Sequence, residues 1–311
     1  MFSQSDGSSY CGPVTEVDLQ AAIGGPPIPL GRRVELPGRG TTFVREVVGP
    51  PGAPTVVLLH GLLASAGLNW FQVFEPLGRR FRVIAPDLRG HGRGLRSSKR
   101  FRLADCADDV AALMDELGVE SAIVVGYSMG GPVAQLLWKQ HPEKVDGLVL
   151  CATGIQFVPG VRERLIFVTA MAAAAGSTRF GQAATQVPVD WVRRRVPLAV
   201  RARPESFRRW AAAEMRRHDI RQVMEAANAI GNYNAKSWFH GVDVPTSLIV
   251  TTGDRAIPPL QQLKLLMAIP HARVHQVDDG HTVCAKQAFI RPLMDACIEV
   301  AEDVAARRST R

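Results

Sequence analysis

One serine stands in a sequence context that could make it a nucleophile. Ser128 is the centre of Gly126-Tyr-Ser-Met-Gly130, which directly follows the apolar run 121–125 and precedes the apolar pattern of 132–139. This order predicts a strand, a sharp turn and a helix, the arrangement that holds a serine hydroxyl exposed in a strained backbone conformation. Because Gly126 and Gly130 lack Cβ atoms, strand and helix can pack closely across a turn that forces Ser128 to positive φ.

The helix predicted after Ser128 adds a second chemical element. Its first backbone amides have no partners within the helix and point toward developing negative charge. The N–H of Met129 is therefore a candidate oxyanion donor. The alternative is a glycine-rich turn in which Ser128 only caps a helix. The presence of a base, an acid and a second donor in workable order would favour the catalytic interpretation.

A carboxylate and an imidazole follow later strands in the required order. A serine hydroxyl is a poor nucleophile at neutral pH, so it needs an imidazole to accept its proton and a carboxylate to orient that imidazole. Asp254 lies in the loop after the buried run 247–251, and His281 lies in the loop after the last predicted strand. Asp254 could instead be an ordinary turn residue. Asp278 or Asp279 could also replace it, but both would have to fold back onto the neighbouring His281.

A second oxyanion donor is expected after the run 55–59. His60-Gly61 lets the chain turn sharply there, and the N–H of Leu62 is the natural partner for that of Met129. We assign His60 to shaping the loop and not to proton transfer. Asp87 and His91, after the next strand, form a further pair of an acid and a histidine, for which we predict a hydrogen-bonded turn that braces the elbow.

Composition limits the class of protein. The chain of 311 residues and 33.8 kDa can bury a large core and does not need disulfides or metals for stability. Its five cysteines are scattered and lack metal-ligand spacing, so we expect buried apolar residues, a reducing compartment and no metal site. The N-terminus has neither the basic start nor the apolar stretch of a secretory signal, which predicts a cytoplasmic protein. No run reaches the roughly 18 apolar residues of a membrane span.

The net charge of +8 comes mainly from arginine, much of it between residues 162 and 221. These arginines alternate with apolar residues at helical spacing and lack the interleaved aromatic platforms of a groove that binds nucleic acid strands. We therefore predict a solvated helix face and no nucleic-acid partner. A weak association with anionic lipid surfaces is the minority alternative.

Strand-like and helical patterns alternate along most of the chain. The β-rich runs are 42–48, 55–59, 81–85, 121–125, 146–151, 246–251 and 272–277. Continuous apolar runs imply burial on both faces, and hence a mostly parallel sheet between helices with catalytic groups at the carboxyl ends of its strands. We predict a flexible arm over 1–31, an α/β core over 32–155 and 243–311, and an inserted helical cap over 156–242.

Taken together, the motifs resemble those of the α/β-hydrolase superfamily from about residue 32 to the C-terminus. The resemblance is carried by His60-Gly61, Asp87-x-Arg-Gly-His-Gly, Gly126-x-Ser-x-Gly-Gly, Asp254 and Gly280-His281. It implies a three-layer α/β/α sandwich with an eight-stranded sheet and a helical cap after the sixth strand. It also implies Ser128, His281 and Asp254 as nucleophile, base and acid, with no cofactor. The wording around the serine is similar to that of esterases, lipases and perhydrolases, whereas dehalogenases and epoxide hydrolases of this fold carry aspartate at that position.

The resulting prediction is a serine hydrolase that cleaves a small carboxylic ester with an apolar acyl chain of short to medium length. Candidate pocket residues are His60, Trp70, Tyr127, Phe157, Phe167, Trp191 and Trp238, although packing within the cap could explain the apolar ones among them. Alternatives are an acyltransferase or perhydrolase, a hydrolase of carbon–carbon bonds, and a ligand receptor or scaffold without turnover. The sequence leaves the oligomeric state open.

Overall fold

A computed structural model describes residues 25–158 and 207–310, and its centre is one β-sheet. Within these residues the sheet has eight strands: β1 Gly31–Leu36, β2 Gly40–Val47, β3 Thr55–Leu59, β4 Arg82–Asp87, β5 Ala122–Tyr127, β6 Val145–Cys151, β7 Thr246–Thr251 and β8 Arg273–Val277. The strand order is β1-β2-β4-β3-β5-β6-β7-β8. β2 pairs antiparallel with β1 and with β4, and all other pairs are parallel. The predicted mostly parallel, eight-stranded sheet is confirmed.

The strand β1 is the one that the β-rich runs do not include. Its sequence, Gly-Arg-Arg-Val-Glu-Leu, buries only Val34 and Leu36 and exposes Arg32, Arg33 and Glu35. Such a mixed pattern suits an edge strand that is buried on one face. The central strand β3 differs, because four of its five residues are buried, as expected for a strand covered on both faces.

Helices cover both faces of the sheet. Their bounds are α1 Ala66–Trp70, α2 Phe74–Gly78, α3 Leu103–Glu116, α4 Gly130–Gln140, α5 Phe207–Met215, α6 Ile220–Asn232, α7 Pro259–Ala268 and α8 Ile290–Ser309. Short 3-10 turns lie at Pro142–Lys144, Phe239–Gly241, Val283–Ala285 and Gln287–Phe289. None of the helices in the described ranges is long and apolar enough to cross a bilayer.

The alternation of side chains along each strand divides the core into two clusters. Val57 and Leu59 of β3 pack with residues of α3, α4 and α7, whereas Val56 and Leu58 pack with residues of α1, α2 and α8. Because successive side chains of a strand point to opposite faces, the same sheet supplies both clusters. The result is the predicted three-layer sandwich, with the carboxyl ends of the parallel strands at one edge.

The division into arm, core and cap remains a prediction. At the end of the predicted arm, Ile28 is buried in the core and the carbonyl of Pro29 accepts a hydrogen bond from Arg45. Residues 1–24 lie outside the described part of the chain. Of the predicted cap, the structure describes residues 156–158 and 207–242, which include α5 and α6.

Candidate active site

The turn between β5 and α4 holds Ser128 in the left-handed region, with φ of 50°. A Cβ on Gly126 would lie 2.5 Å from the carbonyl oxygen of Gly130, and a Cβ on Gly130 would lie 2.0 Å from that of Leu59. Both positions therefore require glycine. The Ser128 N–H donates to the carbonyl of Cys151 at 3.0 Å, which ties the strained residue to the end of β6. The turn thus presents the serine hydroxyl at the carboxyl edge of the sheet.

A continuous chain of hydrogen bonds joins Ser128 to His281 and Asp254. Nε2 of His281 lies 2.9 Å from Oγ of Ser128, and Nδ1 lies 2.7 Å from Oδ2 of Asp254. Because an ionised carboxylate only accepts hydrogen bonds, the proton of the neutral imidazole sits on Nδ1. Nε2 then has its lone pair toward the serine hydroxyl, which is the tautomer that a general base requires.

Asp254 is buried, and both of its carboxylate oxygens accept hydrogen bonds. Its Oδ1 accepts the N–H groups of Ala256 and Ile257 at 2.8 and 2.9 Å, and its Oδ2 also accepts from Oγ1 of Thr251 at 2.9 Å. Burial opposes ionisation, but hydrogen bonds from His281 and from the Ile257 N–H outweigh it, so the pKa of Asp254 lies below its ordinary value. The carboxylate is therefore charged at neutral pH and can stabilise an imidazolium.

The two aspartates next to His281 in sequence contact other groups. Asp278 accepts from Oγ1 of Thr252 at 2.8 Å, and the carboxylate of Asp279 contacts the ammonium group of Lys286 at 2.7 and 2.8 Å. Among the described residues, Asp254 is the carboxylate that contacts the His281 ring.

The loop after β3 places a tight turn beside Ser128. The Ala64 N–H donates to the carbonyl of Gly61 at 3.2 Å, and Leu63 between them has φ of 58°. A Cβ on Gly61 would lie only 3.3 Å from Cβ of Ser128, so the loop approaches the serine closely. The N–H of Gly61 donates to Oδ1 of the buried Asn69 at 3.0 Å, which fixes the start of the turn.

His60 sets the direction of the next peptide unit. Its Nε2 accepts the Leu88 N–H at 2.9 Å, so its proton sits on Nδ1, which donates to the carbonyl of Gly61 at 2.8 Å. In a planar trans peptide the N–H points away from the C=O, so the Leu62 N–H is directed opposite to this anchored carbonyl. Complete burial holds the pKa of His60 well below its ordinary value, so the ring remains neutral.

The two amides predicted as oxyanion donors are both available. Within the described part of the chain, neither the Leu62 N–H nor the Met129 N–H has a hydrogen-bond acceptor. Met129 directly precedes α4, so its N–H belongs to the end of the helix that favours negative charge. Two unpartnered donors beside a nucleophile can stabilise an oxyanion.

The pair Asp87 and His91 has a structural arrangement. The carboxylate of Asp87 accepts the N–H groups of Ala66 and Arg93 at 2.8 and 2.7 Å, which joins the start of α1 to the loop after β4. Nδ1 of His91 lies 2.9 Å from the carbonyl of Arg89. Burial raises the pKa of Asp87 against the effect of those two hydrogen bonds, and it lowers the pKa of His91 to about 3. These contacts brace the loop that carries Leu62.

Three of the predicted pocket residues lie in the interior. His60 and Trp70 are completely buried, and the Trp70 ring packs edge-on against Tyr127 with centroids 6.1 Å apart. The hydroxyl of Tyr127 donates to the backbone carbonyl of His281 at 2.5 Å. These side chains pack under the site on its core side. Their contacts are not evidence for a role as pocket walls.

The remaining pocket predictions have different outcomes. Trp238 is not brought to the serine, because it stacks on Lys139 at 4.4 Å, near the far end of α4. With a rise of about 1.5 Å per residue, that position is roughly 15 Å along the helix from the elbow. Phe157 follows β6 and packs against Tyr233, so its pocket role stays a prediction. Phe167 and Trp191 lie outside the described residues.

Several side chains hold the site together in roles that the sequence motifs do not predict. Besides Tyr127, Thr153 donates to the backbone carbonyl of Ser128 at 2.8 Å. Gln262 of α7 donates to Oγ1 of Thr251 at 2.8 Å and lies 3.3 Å from Oδ2 of Asp254. The only sequence signal for Thr153 is its position two residues after the end of β6, at the same edge as the elbow.

The fold and this geometry define a class of protein: a mostly parallel sheet with a nucleophile elbow after β5 and an acid and a histidine after β7 and β8 is the arrangement of the α/β-hydrolases. The family model described as alpha/beta hydrolase fold matches residues 54–286. The chain belongs to this family.

Comparison with known proteins identifies relatives in sequence and neighbours in structure. An uncharacterized protein of Mycobacterium tuberculosis is 37% identical over 101 residues, which cover 32% of this chain and 29% of that protein. Epoxide hydrolase B of the same species is 38% identical over 116 residues, covering 36% and 32%. The matches thus span about a third of the length of these curated relatives. A thermophilic esterase from Thermogutta terrifontis superposes with a TM-score of 0.67 at 24% identity, covering 88% of this chain and 99% of that one, which shows a common fold.

Proposed function

We propose that the protein is a serine hydrolase that cleaves a carboxylic ester through a covalent acyl-Ser128 intermediate. The observation that carries the proposal is the unbroken chain from Asp254 through His281 to Ser128, with distances of 2.7 and 2.9 Å. It ends at a serine with positive φ, beside two amide donors that have no acceptor among the described residues. Each of these groups has a role in acyl transfer to and from a serine.

The geometry supports the following sequence of steps. Oγ of Ser128 attacks the ester carbonyl while Nε2 of His281 takes the serine proton. The N–H groups of Leu62 and Met129 stabilise the oxyanion of the tetrahedral intermediate. His281 then gives its proton to the leaving alcohol, and the acyl-serine remains. In the second half His281 activates water, which releases the acid and restores the serine.

Asp254 has a constant role in both halves. It holds the proton of His281 on Nδ1 and stays ionised, so each time Nε2 takes a proton the resulting imidazolium faces a negative charge. The hydrogen bonds that keep its pKa low therefore favour the charged state of the pair.

Despite the match to an epoxide hydrolase, we do not propose epoxide opening for this protein. The resemblance of the sequence motifs implies aspartate as the nucleophile of that class, whereas this chain has Ser128 at the elbow. A carboxylate is needed to form the ester intermediate of that chemistry, and the serine hydroxyl with its adjacent imidazole suits acyl transfer instead.

For the substrate we propose an ester with an apolar acyl chain of short to medium length. Leu62 carries the proposed oxyanion donor on its backbone, Leu63 follows it, and Phe157 follows β6 at the same edge of the sheet. These apolar side chains favour an apolar acyl chain over a charged one.

A series of p-nitrophenyl esters of increasing acyl length, with a Ser128→Ala control, tests the proposal. We expect hydrolysis that depends on Ser128 and reaches a maximum at a short to medium chain. Labelling of the folded protein by a fluorophosphonate should modify Ser128. If the folded protein does not react, and ester hydrolysis survives Ser128→Ala, the proposed function is wrong.

A further inference from the structure

His218 lies in the connection between α5 and α6 and contacts two separate loops of the core. Its Nδ1 accepts the Gly92 N–H at 2.8 Å, and its Nε2 lies 3.2 Å from the carbonyl of Leu63. Since a backbone N–H only donates, Nδ1 carries no proton, and the proton of the neutral ring sits on Nε2. His218 therefore donates to the Leu63 carbonyl, and both contacts together require the neutral imidazole in one tautomer.

The Leu63 carbonyl belongs to the peptide unit that closes the turn beside Ser128. That unit is held at both ends. His218 contacts its oxygen, and its N–H, which belongs to Ala64, donates to the carbonyl of Gly61. The Gly61 carbonyl in turn belongs to the peptide unit that carries the Leu62 N–H. His218 is thus linked to the proposed oxyanion donor by two peptide units, 63–64 and 61–62, which the hydrogen bond from Ala64 to Gly61 joins.

This turn needs an external hold. Leu63 has φ of 58°, in a region that a leucine rarely adopts, and its side chain is partly exposed. A strained residue keeps such a conformation only when its surroundings fix it. The contacts that do so are the Gly61 to Ala64 hydrogen bond, the His60 ring from the core and the His218 ring from the predicted cap.

The segment that carries His218 is itself firmly attached. The carboxylate of the buried Glu214 forms a bidentate ion pair with Arg93 at 2.8 and 3.0 Å. The Asp219 N–H donates to the carbonyl of Gly90 at 2.9 Å. His218 lies between these two attachments, so its ring acts from a fixed position.

We propose that His218 is a positioning residue through which the segment 214–219 holds the loop 60–66 in the arrangement that directs the Leu62 N–H to the oxyanion, and that protonation of His218 releases this hold. The inference rests on the proposed function, since it assigns the Leu62 N–H to the oxyanion. A second proton on the ring would sit on Nδ1, where it would face the Gly92 N–H donor to donor.

Charged and titratable groups face His218 from several elements. The loop after β4 contributes the His91 ring, at 5.5 Å between centroids, and Arg96. α5 contributes Glu214, and Arg217 and Asp219 flank His218 in its own segment. Burial lowers the pKa of His218 most, Arg96 lowers it further, and the Leu63 carbonyl and Glu214 oppose them, with a net decrease from 6.5.

The sign of the pH effect follows from this decrease. A histidine whose pKa is lower in the folded protein contributes its full stabilisation above the ordinary value of 6.5. The contribution decreases as the pH falls from there toward the lowered value. The hold on the loop is therefore complete at neutral pH and weakens in mild acid.

The test compares His218→Ala and His218→Gln with the wild-type protein, and it uses His271→Gln as a matched control. His271 also contacts a backbone carbonyl, that of Val244 at 3.1 Å, but before the start of β7 at the opposite edge. The measurements are kcat and KM for a p-nitrophenyl ester, and hydrogen–deuterium exchange of residues 60–69 at pH 5.5 and 7.5, corrected for the chemical exchange rate.

We expect His218→Ala to lower kcat about tenfold with KM within twofold, because a misplaced donor affects the transition state more than substrate binding. Exchange of residues 60–69 should be faster in this variant. His218→Gln retains a donor toward Leu63 but cannot take up a proton. It should keep kcat within about threefold of the wild type. The acceleration of exchange in residues 60–69 at pH 5.5 relative to pH 7.5 should be smaller in this variant than in the wild type. His271→Gln should match the wild type in all measurements.

Several outcomes would overturn the inference. These are an unchanged kcat and unchanged exchange in His218→Ala, an effect of that variant on KM alone, or the same acid response of exchange in His218→Gln and wild type. If His218→Ala does not fold, the acid response of His218→Gln decides. If the wild-type protein shows no hydrolysis that depends on Ser128, the proposed function fails, while the exchange data still report whether His218 holds the loop.

Discussion

Two regions at the carboxyl edge of the sheet each combine a buried aspartate with histidine. In the proposed triad region, residues 251–257 and 278–283, Asp254 contacts the imidazole of His281 at 2.7 Å. In the bracing region, residues 60–66 and 87–93, the two oxygens of Asp87 accept backbone N–H groups. An aspartate and a histidine after parallel strands are therefore not enough to define a catalytic pair. The contact between them distinguishes the two regions.

The electrostatics of the two regions differ in the same way. The pKa of Asp254 is lowered although burial opposes this, because an imidazole and several other donors face it. The pKa of Asp87 is raised, because its burial outweighs two backbone hydrogen bonds. The histidines of the bracing region have lowered pKa values and act as neutral rings. One region can thus stabilise an imidazolium beside Asp254, and the other holds a loop.

The largest difference is expected from the two histidines. His281→Ala should lower kcat by at least about 10⁴-fold, because loss of the base disables the whole triad. Its effect on the thermal midpoint should be small, since the ring is partly exposed. His91→Asn should have the opposite profile, with a lower midpoint and kcat within about tenfold. Activity assays on p-nitrophenyl esters and thermal unfolding of both variants check this, and comparable losses of kcat would remove the distinction.

The two aspartates provide the next test. Asp254→Asn should lower kcat about 10⁴-fold, because the amide no longer favours the required tautomer of His281. Asp87→Asn places a donor against the N–H of Ala66 or Arg93 and should destabilise the fold by about 1–3 kcal/mol. Kinetics and urea unfolding separate the two effects. A loss of kcat near 10⁴-fold in a well-folded Asp87→Asn variant would contradict the bracing role.

The pH dependence of stability should identify the neutral histidines. The pKa of His91 is about 3 in the folded protein. Since the unfolded chain takes up this proton near pH 6.5, His91 should account for about 2 kcal/mol of lost stability at pH 5 relative to pH 7.5. The free energy of unfolding, measured from pH 5 to 7.5, should therefore rise more steeply in the wild type than in His91→Asn. Parallel curves would show that His91 is not held neutral.

The smallest effect is expected from Tyr127→Phe. The variant loses the hydrogen bond to the His281 carbonyl but keeps the buried ring. A hydrogen bond of this kind contributes about 1 kcal/mol, which corresponds to roughly fivefold in kcat if the whole effect falls on the position of His281. Kinetics of Tyr127→Phe should show this decrease with KM nearly unchanged. A change in KM alone would instead indicate that Tyr127 contacts substrate.

Much of the fold follows from local sequence patterns. Continuous apolar runs such as that of β3 occur only where both faces of a strand are covered, so they predict a parallel sheet between helices. The edge strand β1 was missed because its exposed arginines interrupt that pattern. The glycines around Ser128 carry the elbow, since their role depends on neighbours within a few residues.

The supporting contacts could not be predicted in this way. Tyr127 and His281 are 154 residues apart, and His218 and Leu63 are 155 residues apart, so only the folded topology brings them together. The direction of a side chain at the end of a strand also depends on register, which is why Tyr127 was expected to face a pocket. The place of Trp238 beside Lys139 could not be predicted either, because an aromatic residue in a predicted cap carries no signal about which end of α4 it reaches.

Tyr127 directly precedes Ser128 in the chain and also contacts the loop that carries His281. Its hydroxyl holds the His281 backbone, the His281 ring contacts the Ser128 hydroxyl, and a covalent bond joins Tyr127 to Ser128. These links form a closed ring, so two routes connect His281 with Ser128. The loop after β8 can move away from the elbow only if both hydrogen bonds break together, so a redesign of this site for a new substrate should leave the tyrosine in place.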